Sequence, residues 1–296
     1  MKIKVLIVFL FCYLSANEVR PGLSAWFSSY ELSYAGGGGL FFDSNGRDIN
    51  LSECSDKLFS TSYIFYPASI QAQSVSISLP INDKVLNTSI NHISYGTFKG
   101  YDENAVENGN YTSSDTWLKL GYNQPIKNFA SRFGFSNQIY ISKLENYIST
   151  SIYSSIGFIW QISKYKLDIA GAINDVVLYK NNLMGNINSM NFNIGICKEL
   201  TYLPMKISID CRLNNIFIPV DYYISGIFKI SEIFKLNIGT SSRKFNQNTR
   251  QSLSQTIFGS TGLGVVYNNE NIIINYGLYF YGTGGFCNGL DLTVSF

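Results

Sequence analysis

The sequence predicts an all-β fold, a transmembrane antiparallel β-barrel of about fourteen strands with a short N-terminal plug-like segment. Segments in which every second residue is apolar recur along most of the chain. The last of them ends in a C-terminal aromatic residue, Phe296, and the chain starts with the pattern of a secretory signal peptide. An exported chain built from amphipathic strands about ten residues long fits a barrel that crosses a membrane.

The N-terminus carries Lys2 and Lys4, then an apolar run over residues 5–14, and then small residues ending at Ala16. This is the order of charge, apolar core and cleavage point in a signal peptide. The apolar run is too short to cross a bilayer as a helix, which needs about 20 residues. We therefore expect three regions: a signal peptide, 1–16; an N-terminal periplasmic or plug segment, 17–56; and an outer-membrane barrel, 57–296.

The composition agrees with a membrane barrel. Charged residues make up 14% of the chain and aromatic residues 15%, which suits an apolar lipid face around a polar lumen. Loss of Lys2 and Lys4 with the signal peptide would leave 20 basic and 20 acidic residues, so no basic surplus points to nucleic acid. The apolar runs after residue 16 are too short for a membrane-spanning helix.

Strand candidates follow one another from residue 57 to the C-terminus. They are roughly 57–66, 70–79, 84–97, 113–122, 131–143, 152–162, 165–174, 188–198, 204–212, 220–230, 233–241, 255–267, 271–281 and 285–296. In the segment 204–212, Met205, Ile207 and Ile209 share one face, and Lys206, Ser208, Asp210 and Arg212 share the other. A secreted β-sandwich would also alternate, but strand length and the terminal aromatic favour the barrel.

The connections between these candidates alternate in length. Those over 98–112, 144–151, 175–187 and 242–254 are long, whereas turns such as Asn82-Asp83 and Ser231-Glu232 are short. Long outer loops and short periplasmic turns are typical of membrane barrels. Pro67, Pro80, Pro125, Pro204 and Pro219 fall at or beside the junctions, where a residue without an N–H is tolerated.

Two of the long loops are the candidate partner-binding surfaces. One is acidic and contains Asp102 and Glu103, and the other is basic and contains Arg243 and Lys244. Exposed loops carry much of the binding function of such folds, although many are only solvated.

The C-terminal strand places Leu292, Val294 and Phe296 on one face. A strand that ends in this way looks like the sorting signal of bacterial outer-membrane barrels. It predicts an outer-membrane location in a Gram-negative-type bacterium, with outer-membrane lipid and the barrel-assembly machinery as partners.

The residues give no reason to expect an enzyme, a metal or a cofactor. Gly36–Gly39 lacks the Lys-Ser/Thr of a phosphate loop, so a turn where backbone passes closely is the simpler interpretation. His92 is the single histidine, and no serine beside it is an evident nucleophile. The polar face with Lys206, Asp210 and Arg212 indicates a water-filled lumen, or else a weak selectivity ring.

A longer segment carries a family resemblance. Between residues 90 and 122 the chain has a Tyr-Gly-x-Phe stretch, an acidic and glycine-containing loop, a Ser-Asp pair and a Leu-Gly-Tyr strand. The residues concerned are Tyr95, Gly96, Phe98, Asp102, Glu103, Gly109, Ser114, Asp115, Gly121 and Tyr122. This pattern resembles the PorV/PorQ family of outer-membrane proteins, which are relatives of FadL-type barrels. The shortness of the chain and Asp48-Ile49-Asn50 make it more similar to PorQ.

The resemblance implies a non-enzymatic role as an accessory or anchoring component of type IX protein secretion and cell-surface attachment, with other proteins of that system as partners. One departure is that residues 53–58 lack the Asn-Pro-Ala that the family usually carries. The alternative is a FadL-like transporter of hydrophobic small molecules. A lumen lined mainly by Lys, Asp, Asn and Ser would argue against that alternative.

Overall fold

A computed structural model describes residues 25–42, 56–126, 130–145, 147–181, 190–214, 217–245, 258–282 and 285–296. The predicted signal peptide, residues 43–55 and most of the loop 242–254 lie outside these ranges. Among the described residues, no helix is both long and apolar enough to cross a bilayer.

The described residues form fourteen strands, each antiparallel to the next. They are β1 Leu58–Phe65, β2 Gln71–Ile81, β3 Lys84–Tyr101, β4 Glu107–Ile126, β5 Ser131–Leu144, β6 Tyr147–Ile162, β7 Leu167–Lys180, β8 Asn191–Glu199, β9 Met205–Asn214, β10 Pro219–Lys229, β11 Phe234–Ser241, β12 Thr261–Asn269, β13 Ile272–Phe280 and β14 Phe286–Ser295. The predicted fold class is confirmed, including the strand number.

Pairing of the first strand with the last closes the barrel. β1 and β14 are in register from Leu58 opposite Ser295 to Phe65 opposite Asn288. Closure leaves neither terminal strand with an open edge, so every strand has a hydrogen-bonded neighbour on both sides in the barrel wall. We call the end with Leu58 and Ser295 the proximal end and the opposite one the distal end.

The period-two pattern sorts side chains to the two faces of the wall. On β14, Leu290 is 52% exposed on the outer face, whereas Asp291 is 1% exposed on the lumen face. On β12, Leu263 and Val265 face outward, while Gly262 and Gly264 face the lumen. The outer surface is therefore an apolar belt, as expected of a wall in contact with lipid.

The lumen face is dominated by small polar side chains. Buried serines and asparagines recur on strand after strand; they include Ser60, Ser62, Ser74, Ser76, Ser78, Asn87, Ser89, Asn91, Asn123, Ser136, Asn174, Ser208, Ser225, Asn237 and Asn275. Short side chains leave space inside the wall, and their hydroxyls and amides offer hydrogen bonds to whatever fills that space.

The predicted loops 98–112 and 144–151 are wrong in extent, because β3 to β6 continue beyond the other strands. The first of these hairpins turns only over residues 102–106, and in the second Leu144 at the end of β5 already pairs with Tyr147 at the start of β6. An ion pair from Lys99 to Glu107 (3.0 Å) and stacking of Phe98 on Tyr111 (5.4 Å between ring centres) keep the first hairpin paired. Such cross-strand pairs extend a ladder past the membrane span.

Two further expectations need correction. β7 continues to Lys180 through an irregularity near Asp175, which has a positive φ of 57°, so the predicted loop 175–187 begins too early. The position of Tyr140 near the end of its strand candidate predicts an aromatic of the membrane-interface girdle. In the structure Tyr140 is 1% exposed and faces the lumen, where it packs against Trp117.

The outward apolar belt predicts a depth-dependent effect of charge. Val265 lies in the middle of β12, and Asn269 ends the strand at the proximal rim. We expect Val265→Lys to lower the free energy of unfolding by about 2–4 kcal/mol, because it places an ammonium in hydrocarbon, and Asn269→Lys by about 0–1 kcal/mol. Urea titration in lipid vesicles, followed by heat-modifiable gel mobility, measures both. Equal effects of the two lysines would contradict a membrane-embedded wall.

Candidate functional site: the plugged lumen

An N-terminal plug, defined as residues 25–42, lies inside the barrel. Its helix α1, Ser29–Ser33, packs against β11, β12, β13 and β14. A capping box starts this short helix: the Ser28 hydroxyl accepts from the Glu31 N–H, and the Glu31 carboxylate accepts from the Ser28 N–H (3.0 Å). Reciprocal capping satisfies the first N–H groups of a helix that is too short to be stable alone.

Two lumen carboxylates hold the backbone of the plug. The Ser29 N–H donates to both oxygens of Asp291 (2.9 and 3.0 Å) on β14. Nine residues further along, beyond the end of α1, the Gly38 N–H donates to Asp210 (2.7 Å) on β9, five strands away from β14. Hydrogen bonds to charged acceptors contribute about 1.5–3 kcal/mol each, so these contacts hold the plug to the wall at two separate points.

Gly36–Gly39 is the close-passage turn that the sequence indicated. Gly36 and Gly38 adopt positive φ values of 85° and 70°. A Cβ at Gly37 would lie 2.5 Å from both Ser225 Oγ and Tyr223 Cβ on β10. Glycine is favoured at Gly36 and Gly38 by the backbone angle and at Gly37 by the close approach to the wall.

The barrel wall also has glycines where the plug lies against it. Gly239 lies opposite Gly262, and Gly264 lies opposite Gly277, so glycines face the lumen side by side on β11, β12 and β13. A Cβ at Gly262, Gly264 or Gly277 would overlap atoms of α1, and a Cβ at Gly239 would overlap the backbone of Tyr34, which follows the helix. We call these four residues the glycine seat. The glycine seat was not predicted from the sequence. Inward-facing glycines that recur on successive strands were the pattern that could have indicated it.

Aromatic rings fix the distal side of the plug. Trp26 meets the edge of Tyr279 (4.5 Å between ring centres), and Phe27 packs against Trp117 (4.9 Å). The Tyr66 hydroxyl accepts from the Trp26 N–H (2.9 Å) and donates to the Trp26 carbonyl (2.7 Å). Burial raises the pKa of Tyr66, which keeps the phenol protonated and able to make both bonds.

A small polar cavity of about 140 Å³ remains between the plug and strands β7 to β10. Its charged lining residues are Glu31, Asp175, Asp210 and Arg212. Beside it, Arg243 holds Asp221 in a two-pronged ion pair through Nε (3.0 Å) and Nη2 (2.8 Å). Tyr223 completes this group by donating its hydroxyl to Asp221 (3.0 Å).

A second cavity of about 570 Å³ opens at the proximal end and is basic. It is lined by Lys166, Lys206, Lys229 and Lys235, with Glu199 as its one acidic residue. Glu199 binds Lys166 (2.9 Å) and approaches Lys206 (3.9 Å), whereas Lys229 and Lys235 lie directly opposite each other. Like charges in register repel, and four lysines against Glu199 give this cavity a local excess of positive charge.

The predicted loop residues do not form a common surface. Asp102 caps its own turn by accepting from the N–H groups of Asn104 and Val106 (2.9 Å each), and Glu103 beside it is exposed. Arg243 points to Asp221 instead of outward, and Lys244 next to it is half-exposed. A partner surface on these loops stays a prediction, with Arg243 already engaged inside the molecule.

The predicted sorting-signal residues and His92 lie on the barrel strands or at their ends. Leu292 faces outward and Phe296 is exposed at the proximal end, where its N–H donates to the Lys57 carbonyl (3.0 Å). The sorting role of Leu292, Val294 and Phe296 stays a prediction. His92 lies on the outer face of β3 and contacts the Thr116 hydroxyl through Nδ1 (2.9 Å).

Solved structures with the same fold were found. They include a FadL homologue of Pseudomonas aeruginosa (TM-score 0.56, 9% identity, 95% of this chain and 100% of that one). The toluene transporters TbuX of Ralstonia pickettii (0.54, 9%, 90% and 97%) and TodX of Pseudomonas putida (0.53, 9%, 91% and 97%) are similar to a comparable degree. No protein-family profile and no curated protein sequence matches the chain. These likenesses are to the FadL-type fold; the PorV/PorQ resemblance finds no support among them.

The glycine seat predicts that one methyl group displaces the plug. In Gly262→Ala the new Cβ would overlap the Leu32 carbonyl, and overpacking of this kind costs about 1–3 kcal/mol. We expect a larger steady ion conductance in planar bilayers. Gly121→Ala is the matched control, because its Cβ would meet nothing closer than 3.6 Å. Conductance that rises equally in both variants would show that the plug does not close the lumen.

The hydrogen bonds from the Ser29 N–H to Asp291 predict that the plug becomes less protected when this carboxylate is neutralised. Asp291→Asn removes the charge that accepts the Ser29 N–H, so we expect amide hydrogen exchange across the plug to speed up by about tenfold or more. Asp115→Asn is the control, since Asp115 is equally buried on the lumen face but accepts from Tyr95 (2.8 Å). Unchanged exchange in Asp291→Asn would mean that other contacts hold the plug.

Proposed function

We propose that this chain is an outer-membrane transporter of small molecules whose lumen is closed by its own N-terminal plug. The observation that carries the proposal is the plug itself. Residues 25–42 fill the lumen through hydrogen bonds, ring contacts and close packing, all of which are reversible.

The outer membrane is the location that fits this architecture. The apolar outer belt requires lipid around the wall, and closed β-barrels of this kind are found in outer membranes. The FadL homologue, TodX and TbuX share the fold, and the last two are toluene transporters. Their fold supports the location, and their transport function favours the same kind of function here.

Transport is better supported than type IX secretion. The FadL-like alternative rests on the shared fold and on the plugged lumen, whereas no described feature of the loops favours a secretion partner. The hydrophobic solute of that alternative is a separate matter. Trp26, Phe27 and Trp117 would suit an apolar solute, but the wall below them is lined by serines and asparagines. The polar wall therefore favours transport of a polar solute.

Liposome swelling tests the proposed function. The full chain, reconstituted into liposomes, should admit small solutes faster than protein-free liposomes do. Gly262→Ala should admit them faster still, because it unseats the plug, and Gly121→Ala should match the unaltered chain. If the unaltered chain and Gly262→Ala both behave as protein-free liposomes while their gel mobility shows a folded barrel, the transport function is wrong.

A further inference from the structure

The polar cavity beside the plug is built from two surfaces that the fold brings together. One is the plug, with Glu31 and the turn Gly36–Leu40, and the other is the lumen face of β7 to β10. The wall contributes rows of residues in register: Asn193 lies opposite Arg212, which lies opposite Asp221, and in the next row Gly195 lies opposite Asp210. The cavity therefore has a fixed pattern of charge along β9.

Arg212 is the unused cation of this cavity. Its neighbour Asp221 is already held by both prongs of Arg243 and by the Tyr223 hydroxyl. Within the part of the chain that the structure describes, Arg212 makes no hydrogen bond and no ion pair. A half-buried guanidinium has five donors in a planar fork that matches a carboxylate. An anionic group entering the cavity would find this fork free.

Carboxylates face the same space. Asp210 is two residues before Arg212 on the same face, which places their Cα atoms about 6.7 Å apart. Asp175 lines the opposite part and is held by the side-chain amides of Gln138 and Asn191. With Glu31, the lining carries three carboxylates against one guanidinium. A lone anion would be repelled by these carboxylates, and a lone cation would leave the Arg212 guanidinium without a hydrogen-bond acceptor.

Size narrows the solute further. A cavity of about 140 Å³ holds roughly ten water molecules by the same measure. This corresponds to a solute of about ten non-hydrogen atoms. The asparagines Asn174, Asn191 and Asn193 add neutral donors and acceptors around it, which an apolar hydrocarbon could not use.

We propose that this cavity is the solute site of the transporter and that it binds a small zwitterion of the α-amino-acid type. The carboxylate of the solute binds Arg212, and its ammonium lies between the carboxylates of Asp175 and Asp210. This assignment of a solute class rests on the proposed transport function. It places the solute in contact with the turn Gly36–Leu40, the same turn that Asp210 holds through Gly38.

Calorimetric binding to the full chain in detergent tests the site with L-glutamine as the probe. The matched probes are glutaramic acid, which lacks the ammonium, and glutamine α-amide, which lacks the carboxylate. We expect L-glutamine to bind at least tenfold more tightly than either, and Arg212→Gln to weaken its binding at least tenfold. Lys206→Gln, on the same face of β9 but outside this cavity, should leave the affinity unchanged.

Several results would overturn the site. Equal binding of glutaramic acid would make it an anion site, and equal loss in Arg212→Gln and Lys206→Gln would make it a diffuse effect of lumen charge. The absence of L-glutamine binding to the folded chain would also end the proposal. Because binding is measured without a membrane, liposomes that admit solutes although no zwitterion binds would leave transport standing and refute the solute class. If L-glutamine binds to the folded chain but the liposomes admit no solute, the solute site would stand and the transport function would be refuted.

Discussion

The architecture depends on the pairing of β1 with β14. A wall that faces lipid has to satisfy its backbone hydrogen bonds within the sheet, and only closure removes the last pair of open edges. Eight residue pairs, from Leu58 with Ser295 to Phe65 with Asn288, complete that closure. Once the sheet is closed, period two alone decides which side chains face lipid and which enclose the lumen.

The plug poses the opposite problem, because its backbone polar groups are buried in the lumen. Asp291 and Asp210 supply charged acceptors at its two ends, and the Ser225 hydroxyl donates to the Tyr34 carbonyl between them (3.3 Å). The polar side chains of the lumen therefore satisfy backbone groups of the plug that would otherwise be buried without a hydrogen bond. The glycine seat adds shape to this chemistry, since it lets helix backbone lie directly on strand backbone.

The lumen is chemically uneven, and the unevenness bears on what can pass. Aromatic rings pack around Trp26 and Phe27 at the distal end. Charged and amide groups line the cavity along β9, and lysines line one side of the proximal mouth. A solute with an apolar part and two charges would meet suitable groups at each level. A toluene-like solute would meet them only at the first, which separates this lumen from the transport named for its structural neighbours.

The sequence by itself determined the barrel, the strand faces and the close turn at Gly36–Gly39, because alternation and glycine placement are local properties of the chain. It underestimated β3 to β6, since pairs such as Lys99 with Glu107 stabilise a ladder only once the strands are aligned. The glycine seat and the ion pair of Asp221 with Arg243, which leaves Arg212 without one among the described residues, were decided by tertiary structure. Both depend on the register between strands and on where the plug lies, and neither register nor plug position is encoded within a single segment.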